Sequence, residues 1–323
     1  MTGASGFLGR NLIEQLLAEN WSVTGFDLDI SGIRSLKKQG IELVSGDICD
    51  LSACESAMPD NVDAVFHLAG NTSHWKKGDD LQTKVNVLGT KNVALAALKK
   101  SARRFIHTSS IAAYGFHDTI INESTISKAD KSIINYFRSK WLAEVEIREL
   151  LFAGLDAVIL NPANIIGPYD YSGWSRLFSM IYNDKLAGNL AGTASFCHVR
   201  EVARAHIEAY KKGQCGHNYL LGGADVSWQN FIIEIGKLLD KKTPSRIIPP
   251  SILRLIGRAS YCVSCVTGKE PDITPEKAAL MSSMLQCSSR KAVEELGYME
   301  ISIKEMLSDC YEWMKRENLI VKQ

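Results

Sequence analysis

The chain has 323 residues and sets 37 Lys and Arg against 36 Asp and Glu, a formal balance of +1, with 46% hydrophobic and 23% charged residues. That balance, with basic residues running in pairs at most, leaves no electrostatic footprint for a polyanion and argues against a dedicated nucleic-acid binder. No stretch reaches the roughly 18 apolar residues of a membrane span, because Arg254 and Arg258 break the best one, 252–266.

At this length one core is near its upper size, so a large lobe and a smaller one sharing a cleft are expected. The opening Met1-Thr2-Gly3 lacks the basic and apolar segments of a secretory signal. The cysteines Cys49, Cys54, Cys197, Cys215, Cys262, Cys265, Cys287 and Cys310 are scattered, which fits a reducing cytoplasm. Cys262 and Cys265 have C-x-x-C spacing, but no second pair or His lies at zinc-site spacing, so no metal is expected.

Short β-branched runs alternate with amphipathic stretches through the first half, the pattern of a doubly wound parallel sheet covered by helices. Strands are predicted at 22–26, 42–45, 64–68, 104–108 and 157–160, and helices at 10–19, 31–38, 54–58, 81–100 and 134–151. After Pro162 and Pro168 regularity weakens, with a helix at 177–182. A helix at 198–211 and a strand at 219–221 return the chain to the sheet. Further helices are predicted around 231–239, 252–266 and 303–317. The expected division is therefore 1–166, with 196–222 returning to it, as the dinucleotide-binding domain, and 167–195 with 223–323 as a discontinuous substrate lobe.

Gly3, Gly6 and Gly9 have G-x-x-G-x-x-G spacing and lead into a helix with Leu12, Ile13, Leu16 and Leu17 on one face. Gly3 suits a tight turn, Gly6 a close approach of backbone to a pyrophosphate, and Gly9 close helix–sheet packing, with the phosphates at the helix N-terminus. Asp27 follows 18 residues after Gly9 at a strand end, where a carboxylate accepts both adenosine ribose hydroxyls and repels a 2′-phosphate. NAD is thereby favoured over NADP, although Arg10 and Arg34 are available to a phosphate and Asp29 is a second candidate for the ribose. Only Met1 and Thr2 precede Gly3, so the first strand is truncated here and the natural chain is expected to start upstream.

Thr108-Ser109-Ser110 closes the strand 104–108 and puts hydroxyls at the carboxyl edge of the sheet. Tyr136 and Lys140, four apart, share one helix face, where an ammonium favours the phenolate. A second Y-x-x-x-K, Tyr311 and Lys315, has no glycine loop or serine strand upstream and is read as chance. His67 and His107 lie within strands and are read as satisfied core or rim histidines.

Together these residues resemble the extended short-chain dehydrogenase/reductase family. The likeness extends through Gly46-Asp47-Ile48, Val65 to Gly70, Val85 to Thr90, Ser109 to Gly115, Tyr136 to Lys140, and Asn161-Pro162 to Gly167-Pro168. The resemblance implies a Rossmann domain that binds NAD through Gly3, Ser5, Gly6, Phe7, Leu8, Gly9 and Asp27. It places Asp47 and Ile48 at the adenine and Ala69 and Gly70 at the pyrophosphate and ribose, with Leu68, Thr108, Pro162 and Ile165 as further contacts. It makes Ser110, Tyr136, Lys140 and Asn86 the catalytic set: Ser110 holding the substrate oxygen, Tyr136 the acid/base, Lys140 on the nicotinamide ribose and Asn86 supporting the active-site helix. Thr72, His74, Ser110 and Asn164 are the implied substrate contacts.

Family dehydratases carry an Asp-Glu pair where this chain has Ile111 and Ala112, neither able to move a proton, which disfavours a dehydratase. His198 to His206, Thr267 to Pro271 and Ser289 to Tyr298 resemble the dihydroflavonol 4-reductase and 3β-hydroxysteroid dehydrogenase branch, with Arg200 where that branch has an acid. An NAD-dependent oxidoreductase acting on a small apolar carbonyl or alcohol is therefore expected, with 252–266 read as core, dimer face or substrate wall. A nucleotide-sugar epimerase, left open by Arg176, Lys185 and Arg200, and a non-catalytic dinucleotide sensor or scaffold are the alternatives. The resemblance implies a homodimer through helices 81–100 and 134–151.

Overall fold

The computed structural model describes residues 1–171 and 173–320. Strands and helices alternate as α1 (Phe7–Ala18), β1 (Thr24–Asp27), β2 (Glu42–Ser45), α2 (Leu51–Ala57), β3 (Ala64–His67), α3 (Asp79–Thr83), α4 (Thr90–Lys99), β4 (Arg104–Thr108) and α5 (Asn135–Leu151). The chain continues through β5 (Ala157–Pro162), β6 (Asn164–Ile166), α6 (Ser175–Tyr182), β7 (Thr193–His198), α7 (Val199–Lys212), β8 (Asn218–Leu221) and β9 (Ala224–Ser227). It ends with α8 (Trp228–Leu239), α9 (Pro250–Thr267), α10 (Pro275–Met281), β10 (Met284–Leu285), α11 (Arg290–Leu296) and α12 (Ile303–Arg316).

The strands β3, β4, β5 and β8 form one parallel ladder, while β1 pairs with β2. Successive strand residues face opposite sides of the sheet. Ile106, Val158 and Leu160 therefore join Leu12, Ile13 and Leu16 of α1 and Val202 of α7 in one core. Phe105, Ala157 and Ile159 join Val93 and Ala97 of α4 and Ile147 of α5 in the other. Burial on both faces explains why these strands read as continuous apolar runs.

β1 and β3 do not pair with each other. Between their upper ends lies Thr2, bridged in parallel to Phe26 and His67, with the Thr2 N–H on the Phe66 carbonyl (2.9 Å) and the Phe26 N–H on the Met1 carbonyl (2.8 Å). Thr2 thus occupies the central-strand position of a doubly wound sheet and satisfies the ladder at its ligand-facing edge. Below it a cavity of about 290 Å³ separates the strands, lined by Met1, Val23, Thr24, Val65 and Phe66. The Met1 nitrogen reaches the Thr24 carbonyl (2.7 Å).

A second, smaller sheet holds β6, β7 and β10 with β9 antiparallel on β7. It packs on α6, α8 and α12 through Phe196, Phe178, Phe231, Trp228 and Trp313, with the Phe196 and Phe231 rings stacked 4.5 Å apart. α11 packs with the main sheet instead: Ala292, Leu296 and Tyr298 belong to the α1/α7 core, and the Tyr298 hydroxyl donates to the Gly222 carbonyl (2.6 Å).

Three local expectations change. The predicted helix 31–38 is a 3₁₀ helix, Ser31–Gln39, ending at Gly40 in the left-handed region. The predicted helix 81–100 is interrupted between α3 and α4 by a π-helical stretch, Lys84–Gly89, which carries the buried Asn86. Segment 252–266 lies in α9, but Ile252, Leu255, Ile256 and Val263 are exposed and only Leu253, Gly257 and Ser264 are buried, so it is not core, and none of its residues lines the cleft that holds Ser110, Tyr136 and Lys140.

Three histidines lie in the main-sheet interior. His67 bonds Thr2 Oγ1 (2.7 Å) and Thr90 Oγ1 (2.9 Å), and His206 bonds Thr108 Oγ1 (2.8 Å). His107, expected to be satisfied, stacks on His67 at 5.4 Å with both ring nitrogens unpartnered. Burial lowers His67 to about 3 and His206 to about 4 and holds His107 well below 6.5. Because the unfolded chain takes up these protons first, their contribution is complete above about pH 6.5 and is lost as pH falls toward 4. Urea unfolding at pH 7 and pH 5 should show stability falling on acidification, by up to about 1.4 kcal/mol per pH unit for each histidine. Equal stability at the two pH values would contradict neutral burial.

Candidate active site

Gly3 sits at φ +69°, and a Cβ on it would lie 2.7 Å from the Ala69 nitrogen. A Cβ on Gly9 would lie 2.1 Å from the Gly3 carbonyl oxygen, so the third glycine closes the turn on its own backbone, not on the sheet as expected. Gly6 caps α1 without a side chain, and no acid lies in the first turn. The helix therefore offers its N–H groups and positive dipole end without internal competition, which suits a pyrophosphate.

Asp27 closes β1 beside this turn. Its Oδ2 accepts the Ser5 N–H (2.9 Å) and its Oδ1 the Leu28 N–H (2.8 Å). The carboxylate of Asp29, the second ribose candidate, is occupied by the N–H and hydroxyl of Ser31 (2.8 and 2.9 Å). The Arg10 side chain donates to the Ser5 and Gly32 carbonyls (3.1 and 3.2 Å) and faces the rings of Tyr169 and Tyr171 at 5.7 and 5.6 Å. Arg34 is not part of the cleft wall.

Across the cleft, the end of β4 and the segment after it deliver Thr108, Ser109 and Ser110, and the first turns of α5 deliver Tyr136 and Lys140. The Lys140 ammonium donates to the Thr108 carbonyl (3.0 Å). Burial lowers its pKa to about 8 against an opposing pull from Glu144 one turn along. Tyr136 departs from expectation: burial raises its pKa, and the hydrogen bond that lowers it comes from Ser110. The neighbouring ammonium, turned to the Thr108 carbonyl, does not set the direction.

Asn86 holds this arrangement without lining the cleft. Its Oδ1 accepts the Asn71 N–H (2.7 Å), and its Nδ2 donates to the Asn71 carbonyl (3.0 Å) and to Ser139 Oγ (2.9 Å), tying the loop after β3 to α5. Asn86 is thus a positioning residue. Glu144, which sequence reasoning missed, is buried and accepts from Ser109 Oγ (2.5 Å), Asn161 Nδ2 (2.6 Å) and Asn218 Nδ2 (2.9 Å). Its only sequence signal is i, i+4 spacing from Lys140.

The residues expected at the cofactor, Gly3, Ser5 to Gly9, Asp27, Asp47, Ile48, Leu68, Ala69, Gly70, Thr108, Lys140, Pro162 and Ile165, share one cleft of about 950 Å³ with Ser110, Tyr136 and Thr72. Two expected substrate contacts stand off its wall. His74 packs its ring edge against Tyr136 (5.3 Å between centroids), with Nδ1 unpartnered and burial lowering its pKa to about 4. Asn164 spends its amide on the Ser195 carbonyl (2.9 Å) within the smaller sheet. Asn71, Leu81 and Val85 line the cleft unforeseen, since nothing in their spacing marks them.

A glycine turn at an uncapped helix end, a carboxylate at the next strand end and a Ser-Tyr-Lys group share this cleft. The description "NAD dependent epimerase/dehydratase family" matches residues 1–222. The chain belongs to that family. It is 27% identical to a Synechocystis protein named "Putative dihydroflavonol 4-reductase", over 100% of this chain and 96% of that one. It is also 27% identical to sterol demethylase protein B of Methylococcus capsulatus, over 99% of each. The crystal structure of gox2253 is similar, with a TM-score of 0.85 and 27% identity over 99% of this chain and 98% of that one. The family is one of NAD-dependent epimerases, dehydratases and reductases, and the Rossmann fold is that of this chain.

The second Y-x-x-x-K lies outside the cleft, with Tyr311 stacked on Phe178 and Lys315 paired with Glu312. Arg200, where the branch has an acid, pairs with Asp309 of α12 (3.3 Å), which also accepts from His198 (3.1 Å). The acid thus comes from a different element.

Proposed function

We propose that this family member is an NAD-preferring oxidoreductase of an apolar carbonyl or alcohol. The observation that carries the reading is the convergence of Ser110, Tyr136 and Lys140 in the cleft that also holds the glycine turn and Asp27. The uncapped α1 terminus fits a pyrophosphate, Asp27 fits ribose hydroxyls and excludes a 2′-phosphate, and Lys140 fits the nicotinamide ribose. When bound, the dinucleotide supplies or accepts the hydride. Tyr136 Oη gives its proton to the carbonyl oxygen in reduction and takes it back in oxidation, while Ser110 Oγ holds that oxygen in place.

Ile111 and Ala112 are buried beside Ser110, which leaves no proton-moving group for dehydration at that position. Nucleotide-sugar epimerisation is the second reading. It is weakened because Arg176 is paired with Asp272 (2.7 Å) and Arg200 with Asp309, while Lys185 does not line the cleft. The eight cysteines, all free, support a cytoplasmic setting. Exposed Leu88, just before α4, and Leu142 on α5 support dimerisation through that face.

Incubation with NAD(H) and a panel of apolar alcohols and ketones tests the reaction class. Net gain or loss of reduced nicotinamide is expected. Interconversion of a nucleotide sugar without net change would make the protein an epimerase, and cofactor binding without turnover of either class would make it a sensor.

A further inference from the structure

Charge is not spread evenly along the chain. Residues 241–269 contain Lys241, Lys242, Arg246, Arg254, Arg258 and Lys269 and no acid, leaving 31 basic against 36 acidic residues in the rest. Dispersal over α9 and the loop before it hides this patch from a search for basic runs. Lys241 is paired with Asp184, but the other five are exposed and enter no ion pair among the described residues. The nearby acids Glu270 and Asp272 are taken by Lys277 and Arg176.

The same segment bears an apolar stripe. Ile252, Leu255, Ile256, Ala259, Val263 and Val266 follow an i, i+3, i+4, i+7, i+11, i+14 pattern that keeps them within an arc of about 100° along the helix. All six are exposed, Leu255 at 67%, Val263 at 60% and Val266 at 89%. The opposite face is the buried one: Leu253, Gly257 and Ser264, with a Gly257 Cβ only 3.0 Å from the Thr274 carbonyl oxygen at the start of α10. α9 is therefore anchored by its small-residue side and turns its apolar side outward.

We infer that α9 is a surface-docking helix that lies in the interface of an anionic lipid bilayer. The unpaired cations lie to one side of the stripe at Arg258 and beyond the two ends of α9 at Lys242, Arg246 and Lys269, a combination that matches acyl boundary and anionic headgroups together. An isologous contact between two copies would set this positive patch against itself. Among the described residues no helix is long and apolar enough to cross a membrane, so the contact is peripheral. The helix also backs onto the catalytic loop: Trp75 Nε1 donates to Ser264 Oγ (3.4 Å), and Thr274 Oγ1 donates to the carbonyl of His74, the residue packed on Tyr136. Docking sets that end of the cleft at the lipid surface.

The test is co-sedimentation of the purified full chain with phosphatidylcholine vesicles, with and without phosphatidylglycerol. It requires no turnover and so stands or falls separately from the oxidoreductase reading. Binding is expected only with phosphatidylglycerol and should weaken with salt. Arg258→Gln should lower affinity by roughly fivefold. Leu255→Glu with Val263→Glu should abolish binding while leaving the circular dichroism spectrum and NADH titration unchanged. No sedimentation, equal binding to neutral vesicles, or full binding by the glutamate variant would overturn the inference. So would a wild-type dimer that this variant splits into monomers, which would make the stripe an interface between copies.

Discussion

Tyr136→Phe is expected to lower turnover by roughly 10²-fold or more while leaving cofactor affinity largely unchanged, the loss associated with removal of a general acid. The substitution deletes one hydroxyl and keeps the ring that packs on His74, so the loop and α5 stay in place. The hydrogen bond to Ser110 disappears with the hydroxyl, and with it the group assigned to the proton transfer. Steady-state kcat beside an NADH titration of the same preparation checks this. A variant that retains the wild-type rate would remove Tyr136 from the chemistry.

The second large effect is expected at Gly9. A Cβ there would lie 2.1 Å from one backbone carbonyl oxygen and 2.9 Å from a second, that of Ala4, so no side-chain rotation relieves the clash and α1 must shift. Gly9→Val should weaken NADH binding by about 100-fold or more and lower the unfolding midpoint, because overpacking against backbone displaces the phosphate-facing helix end. Gly78→Ala, where a Cβ meets nothing within 4 Å, serves as the control and should bind as wild type. Unchanged binding by Gly9→Val would mean that the turn does not meet the cofactor.

The cofactor side was legible in the sequence because it is built from local signals. Gly3, Gly6 and Gly9 meet within one turn, Asp27 marks a strand end, and strands buried on both faces advertise themselves as apolar runs. The catalytic group was legible as a joint pattern, since the first Y-x-x-x-K followed a serine-tipped strand and the second did not. Glu144 was not legible: its partners are Ser109 just past β4, Asn161 of β5 and Asn218 of β8, which only the fold brings together. The effect of Lys140 on Tyr136 was misjudged for a related reason. Helical spacing fixes which face two side chains share, but not that a buried ammonium turns to the Thr108 carbonyl. Asn164 was placed by its position after a strand, and the smaller sheet claims its amide. The outward stripe of α9 was visible as an apolar helix, yet a 3.6-residue pattern cannot say which way a face points once the buried side is made of glycine and serine.

The central claim is that the cleft between Asp27 and Tyr136 takes NAD, and the most direct measurement is a tryptophan-fluorescence titration of the purified chain with NADH and then NADPH. Saturable binding of NADH, about tenfold or more tighter than NADPH because the Asp27 carboxylate opposes a 2′-phosphate, is the expected result. Loss of that preference in Asp27→Ala would locate its source. Failure of the chain to bind either dinucleotide would contradict the account.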